Sequence, residues 1–226
     1  MPQTGLNRAP AAVLFDLDGT LIDSAPDLAG TANDMRAARG RPPLPYGELR
    51  PHAGSGARGM LSVAFGLRPG QPGFEALRDE FHALYELRMS RDSALFGAVA
   101  VLLAALDRQG LPWGIVTNKA LRFATPMLTA LPALARAAVL VAGDSTPHTK
   151  PHPAPLLEAA QRLGCAPQAC IYIGDDPRDM RAARAAGMGA WAAAWGYLGV
   201  ELPVAEWGAD AVLAQPIELL TLLDLA

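Results

Sequence analysis

The sequence predicts an α/β fold: a doubly wound parallel sheet covered by helices on both faces, with a helical segment inserted after the first strand. Three observations carry that expectation. Short apolar runs of strand length recur along the chain. Amphipathic stretches of helical period separate them. One long segment, residues 24–93, holds helical patterns and no convincing strand.

The elements follow in order. Ala11 to Leu17 is apolar and rich in Val, Leu and Phe, as a strand buried on both faces requires, and Gly19 and Thr20 punctuate its end. The inserted segment then reads as a helix over Pro26 to Arg39, a loop GRPPLPYG (Gly40 to Gly47), a glycine-dotted stretch, and a helix over Phe74 to Met89. That last helix places Phe74, Leu77, Phe81, Leu84 and Tyr85 on one side. Val99 to Gln109 is the next helix, with Leu102, Leu103 and Leu106 on one face and Gly110 at its C-terminal cap. Strands are expected at Trp113 to Val116, Ala138 to Ala142 and Cys170 to Ile173, with weaker candidates at Gly189 to Trp195 and Ala211 to Leu213. Helices are expected at Ala154 to Leu163 and at Pro177 to Ala186, the latter with Asp176 at the N-cap and Pro177 in the first helical position. Residues 1–23 and 94–226 thus form the expected core and 24–93 the insertion, with linkers near Asp23-Ser24 and from Ser93 to Gly97.

Composition narrows the function. The chain has 226 residues, 51% hydrophobic and 18% charged, so it can bury a full core with no disulfide or metal staple. A net charge of -3 argues against a generic nucleic-acid binder or a membrane-surface protein. No apolar run approaches a membrane span, and the run from Ala9 to Phe15 is broken by Asp16 and Asp18, unlike a secretory signal. The expectation is a soluble cytoplasmic protein, monomer or homodimer. Cys165 and Cys170 lack a His/Cys cluster around them and read as small apolar fillers. Of nineteen Lys and Arg residues only two are lysine, Lys119 and Lys150. In a chain where Arg is the default cation, a retained Lys marks a place where a guanidinium does not fit.

Polar residues gather where strands end. Phe15-Asp16-Leu17-Asp18-Gly19-Thr20 closes the first strand, Val116-Thr117-Asn118-Lys119 the second, Thr149-Lys150-Pro151 follows the third, and Gly174-Asp175-Asp176 ends the fourth, with Asp179 one turn on. Open α/β sheets bind ligands at the carboxyl ends of their strands. Paired carboxylates can divide the roles of nucleophile and acid, while carboxylates, hydroxyl and ammonium together suit Mg²⁺ and a phosphoryl group. Each residue has a plainer reading too. An Asp-x-Asp string occurs in surface loops, Asp176 and Asp179 can form a helix cap, and Lys119 can simply start a helix.

Four ordered motifs, FDLDGT, IVTN, the lone Lys150 and GDD followed by Asp179, resemble those of the haloacid dehalogenase (HAD) superfamily from about Ala11 to Leu213. The insertion resembles the cap of its phosphoglycolate phosphatase-like branch. The resemblance implies a Rossmann-like core and a Mg²⁺-dependent phosphatase acting on a small-molecule phosphate ester. It implies Asp16 as nucleophile and Asp18 as acid and base. Asp16, the backbone carbonyl of Asp18, and Asp175 would hold the metal. Thr117, Asn118 and Lys150 would grip the phosphoryl oxygens, with Thr20, Asp176 and Asp179 in support. The expected cap loop Pro51 to Gly59 offers Arg58 for a substrate carboxylate, with Arg50 and His52 as weaker candidates. No Lys lies in 24–93, which argues against phosphonate cleavage through a Schiff base, and Asp18 argues against dehalogenation. The stretches TNKALRFATPML, KPHPAPL and GDDPRD also resemble N-acetylmuramic acid 6-phosphate phosphatases, so that substrate stays open. A sugar-phosphate mutase and a non-catalytic ligand-binding member are further alternatives.

Overall fold

The computed structural model describes residues 9–200 and 202–224. In chain order its elements are β1 (Ala12–Phe15), β2 (Ile22–Asp23), α1 (Ala25–Ala37), α2 (Tyr46–Leu49), α3 (Gly56–Phe65), α4 (Phe74–Arg88), β3 (Ala94–Leu95), α5 (Val99–Arg108), β4 (Trp113–Val116), α6 (Leu121–Ala130), β5 (Val139–Val141), α7 (Ala154–Leu163), β6 (Cys170–Gly174), α8 (Pro177–Ala186), β7 (Gly189–Ala193), β8 (Ala211–Leu213) and α9 (Glu218–Leu222).

Six strands form one parallel sheet in the order β5-β4-β1-β6-β7-β8. Side-chain alternation along each strand sorts its residues between two cores. Val13, Phe15, Ile115, Ile171 and Ile173 pack with Leu102, Leu103 and Leu106 of α5, Met127 of α6 and Leu219 of α9. Leu14, Val116, Val141 and Tyr172 pack on the other face against Leu156 of α7 and Met180 of α8. Both faces are therefore dry, which explains why these strands read as continuous apolar runs.

The order reverses at β1. The chain first adds β4 and β5 on one side, then β6, β7 and β8 on the other. A crevice opens at such a reversal, outside the carboxyl ends of the strands. It brings the residues after β1 beside those after β6.

The insertion leaves and returns through β2 and β3, which pair antiparallel, Ile22 with Leu95 and Asp23 with Ala94. Helices α1, α3 and α4 build a third core from Leu28, Met35, Met60, Leu61, Phe74, Phe81 and Tyr85. Four helices escape the sequence pattern: the short α2 and α9, and the longer α3 and α6. The glycine-dotted stretch is a 3-10 turn (Arg50–Ser55) running into α3. Gly59 there permits close packing, since a Cβ would strike the His52 carbonyl. Pro126 lies inside α6 and hides its helical signal. Among the described residues no helix is long and apolar enough to cross a membrane.

Asp27 of α1 closes the insertion on itself. Its buried carboxylate accepts from the Asp92 N–H (3.2 Å), the Ser93 N–H (3.0 Å) and the Ser93 hydroxyl (2.6 Å). These bonds tie the returning chain to the first inserted helix. Asp27→Ala removes the partner of these part-buried donors and is expected to cost ~1 kcal/mol, read by urea denaturation.

Candidate active site

The turn after β1 places Asp16 at the floor of the crevice, where its Oδ1 accepts from the Leu17 N–H at 2.7 Å. Gly19 follows with φ 85°, and a Cβ on it would run into the Asp175 carboxylate, so glycine lets β1 and β6 present their acids at close quarters. Thr20 donates its hydroxyl to Asp175 Oδ1 (3.1 Å), and the Tyr197 N–H donates to Oδ2 (2.8 Å). One oxygen from each of Asp16, Asp175 and Asp179 lies within 4.8 Å of the others, the arrangement a divalent cation needs. The Asp18 carboxylate stands outside this cluster.

Lys150 answers the acids. Its Nζ lies 2.9 Å from Asp16 Oδ1 and 2.8 Å from Asp179 Oδ1, and donates to the Val116 carbonyl (3.1 Å) and the Tyr172 hydroxyl (2.7 Å). Burial pulls the Lys150 pKa down, but Asp16 and Asp179 outweigh it and hold it above the ordinary lysine value. Asp175 is pushed well above the carboxylate range by burial and by the charges of Asp16 and Asp179. Burial also pushes Asp179 up, against the pull of Lys150.

The other predicted residues divide. Thr117 lines the crevice and its Oγ1 accepts from the Lys119 N–H at 3.2 Å. Asn118, expected at the phosphoryl oxygens, is turned instead to the Lys150 backbone: it accepts from the Lys150 N–H (2.9 Å) and donates to the Lys150 carbonyl (3.0 Å). Its amide is spent on positioning the lysine. Asp176 caps α8, accepting from the Arg178 N–H (2.8 Å), and pairs with the Arg178 guanidinium (2.7 Å). Asp179 completes the capping box by accepting from the Asp176 N–H (3.1 Å) while its other oxygen meets Lys150.

The insertion roofs this floor and encloses a cavity of about 420 Å³. Arg58 lines it, from the first turn of α3 rather than from a loop. Arg50 and His52 do not line it; Arg50 lies over the Tyr197 ring at 5.3 Å and donates to the Gly196 carbonyl. Sequence reasoning missed Phe81, His82 and Tyr85 of α4, Arg122 and Phe123 of α6, and Arg178, which all face the cavity. Period alone marks Phe81 and Tyr85 as core residues, and nothing in the sequence says that the core they enter borders the site. Burial and the charges of Arg122 and Arg78 depress the His82 pKa, and its ring nitrogen lies 3.4 Å from the Arg122 guanidinium.

A family model described as haloacid dehalogenase-like hydrolase matches residues 10–187. The chain belongs to the haloacid dehalogenase-like hydrolases. It is 48% identical over 213 residues to a phosphoglycolate phosphatase of Xanthomonas campestris, covering 94% of this chain and 96% of that one. It is 43% identical over 215 residues to an N-acetylmuramic acid 6-phosphate phosphatase of Pseudomonas aeruginosa, covering 95% of each. Its fold superposes with TM-score 0.83 on a crystal structure from Haemophilus somnus described as a "predicted phosphoglycolate phosphatase", at 27% identity over 96% of this chain and 99% of that one.

The donor set fits a hard divalent ion. Lys119 offsets Asp18 and Arg178 offsets Asp176, so Lys150 alone faces Asp16, Asp175 and Asp179. With all three ionised the excess is two negative charges, all on oxygen ligands, and a bound divalent ion would favour that ionised form. Mg²⁺ at a hundredfold excess over its Kd is expected to add ~2.7 kcal/mol of stability. Thermal unfolding reads this as a rise of roughly 5–10 °C, and Asp175→Asn is expected to lose it.

Proposed function

We propose that this chain is a Mg²⁺-dependent phosphomonoesterase acting on a small phosphorylated carboxylic acid, as a phosphoglycolate phosphatase does. The observation that carries the reading is the Asp16 carboxylate held beside the Lys150 ammonium, within an acidic cluster at the floor of a roofed cavity.

Asp16 attacks the phosphorus and forms an aspartyl-phosphate as the ester oxygen departs. Asp18 gives its proton to that oxygen. The Asp18 carboxylate then takes a proton from water, whose oxygen attacks the phosphorus and frees Asp16 and inorganic phosphate. Lys150 and Thr117 hold the phosphoryl oxygens in line, and Asn118 fixes the backbone from which Lys150 reaches. Asp16, Asp175 and the Asp18 carbonyl, with Asp179 beside them, would hold Mg²⁺, which would supply the positive charge that lets two anions meet. Residues 24–93 act as a cap over the core formed by 1–23 and 94–226, and exclude bulk water from the acyl phosphate. Arg58 takes the substrate carboxylate.

A second substrate has its own support. The cavity of about 420 Å³ has an aromatic wall of Phe81, Tyr85 and Phe123. A molecule the size of phosphoglycolate leaves much of that volume empty, whereas N-acetylmuramic acid 6-phosphate brings a sugar ring and an acetyl group to fill it.

A phosphate-release panel with Mg²⁺ tests both, using 2-phosphoglycolate, N-acetylmuramic acid 6-phosphate, sugar 1-phosphates and nucleotides. One of the two carboxylate-bearing esters is expected to lead by kcat/KM, and a clear preference for sugar 1-phosphates defeats the reading. Asp16→Asn is expected to lose at least ~1000-fold in kcat with the fold retained by circular dichroism. Arg58→Ala is expected to raise KM for the preferred acid on the order of tenfold and leave KM for p-nitrophenyl phosphate unchanged.

A further inference from the structure

Lys119 is the second of the two lysines, and the reaction outlined above does not use it. Its Nζ lies 3.1 and 3.2 Å from the two oxygens of Asp18 and 2.8 Å from the hydroxyl of Tyr85. Three donors meet three acceptors, and the side chain is only 7% exposed. The Tyr85 ring lies between Phe81, stacked at 6.1 Å, and Phe123, edge-on at 5.6 Å, so its hydroxyl is held by packing in the inserted segment. On its other side Asp18 Oδ1 accepts from the Ser24 hydroxyl, at the start of α1.

Asp18 is thus clamped between a lysine of the core and a serine of the linker. A compact ammonium can bridge one carboxylate and one phenol at this depth, where a guanidinium fork would overreach.

We propose that Lys119 is a positioning residue for Asp18, and that Tyr85 completes the clamp only when α4 sits over the core. The inference rests on the phosphatase reading, since it assigns Lys119 a task in proton delivery by Asp18. Delivery needs the carboxyl within hydrogen-bond reach of the ester oxygen. Without Lys119 the carboxyl is free to turn toward Ser24, and the alkoxide leaves without its proton.

The consequence depends on the leaving group. An alkyl alkoxide needs the proton; p-nitrophenolate departs without it. The experiment measures kcat/KM with Mg²⁺ for the alkyl ester that the wild type prefers and for p-nitrophenyl phosphate. It compares wild type, Lys119→Met and Tyr85→Phe, with thermal unfolding as the check on folding. Lys119→Met is expected to lose on the order of 100-fold on the alkyl ester and no more than about fivefold on the aryl ester. Tyr85→Phe is expected to shift the same ratio in the same direction, by about fivefold. Equal losses on both esters in a folded Lys119→Met overturn the positioning role, and an unchanged ratio in Tyr85→Phe overturns its part in the clamp. If Lys119→Met does not fold, Lys119→Gln carries the same comparison. A wild type that hydrolyses neither ester defeats the phosphatase reading and this inference together; a wild type that hydrolyses both, with a flat ratio across folded variants, defeats this inference alone.

Discussion

Lys150 sits almost out of water with its ammonium against Asp16, Asp179, the Tyr172 hydroxyl and the Val116 carbonyl. A buried charge is tolerated only when paired and hydrogen-bonded, and this one is. Its surroundings are arranged to keep it so. Asn118 fixes the lysine backbone from β4. Tyr172 of β6 donates to the same Val116 carbonyl that Lys150 uses. Asp179 is held from the other side by the α8 capping box. Residues from the ends of three strands and one helix are therefore locked around a single cation, and a shift in any of them unpairs a buried group.

The same arrangement leaves a deficit. One ammonium cannot neutralise Asp16, Asp175 and Asp179 together; burial first, and the neighbouring carboxylates after it, push Asp175 and Asp179 up. Apolar packing on both sheet faces holds the acids at this spacing, because β1 and β6 pair residue by residue from Ala12 opposite Cys170 to Phe15 opposite Ile173. A rigid scaffold can keep like charges close when a ligand is to supply the missing positive charge. Like charges held this close in a cleft mark a candidate functional site, and a bound cation would supply the positive charge that Lys150 alone does not.

The fold was legible because its strands are dry on both sides and its helices carry end signals. Ala12–Phe15 and Cys170–Gly174 read as apolar runs, and Pro177 and Gly187 mark both ends of α8. What escaped was set by contacts distant in sequence. The helix α3 was hidden by Gly56 and Gly59, the second of which is there for packing. Asn118 stood in a motif that suggested phosphate, yet its partner is a backbone thirty-two residues away. For Asp176 and Asp179 the cap and site readings were posed as alternatives, but Asp179 does both, since its two oxygens face opposite ways. Arg122 and Arg178 look like two among many arginines until the fold turns them, with the expected Arg58, toward one cavity.

Those arginines give the cavity a direction. The floor is acidic; the walls carry Arg58, Arg78, Arg122 and His82, whose pKa burial and the nearby arginines lower. Arg58 and Arg122 have no ion-pair partner among the described residues, whereas Arg78 is engaged by Glu75 and Asp79. On the proposed reading, a substrate with anionic groups at both ends would meet Lys150 and Thr117 at one end and unpaired guanidinium at the other, whereas a neutral alcohol phosphate would gain only the first. Polar contacts between insertion and core include Arg178 donating to the Gly54 carbonyl, Arg50 to the Gly196 carbonyl, and the N–H groups of Ser24 and Ala25 donating to the Tyr197 hydroxyl. These links lie near the acidic floor, since Tyr197 also donates its N–H to Asp175. On the proposed reading, a two-ended anion bound here would bridge floor and insertion, so recognition of the substrate would draw on the same boundary that those links already span.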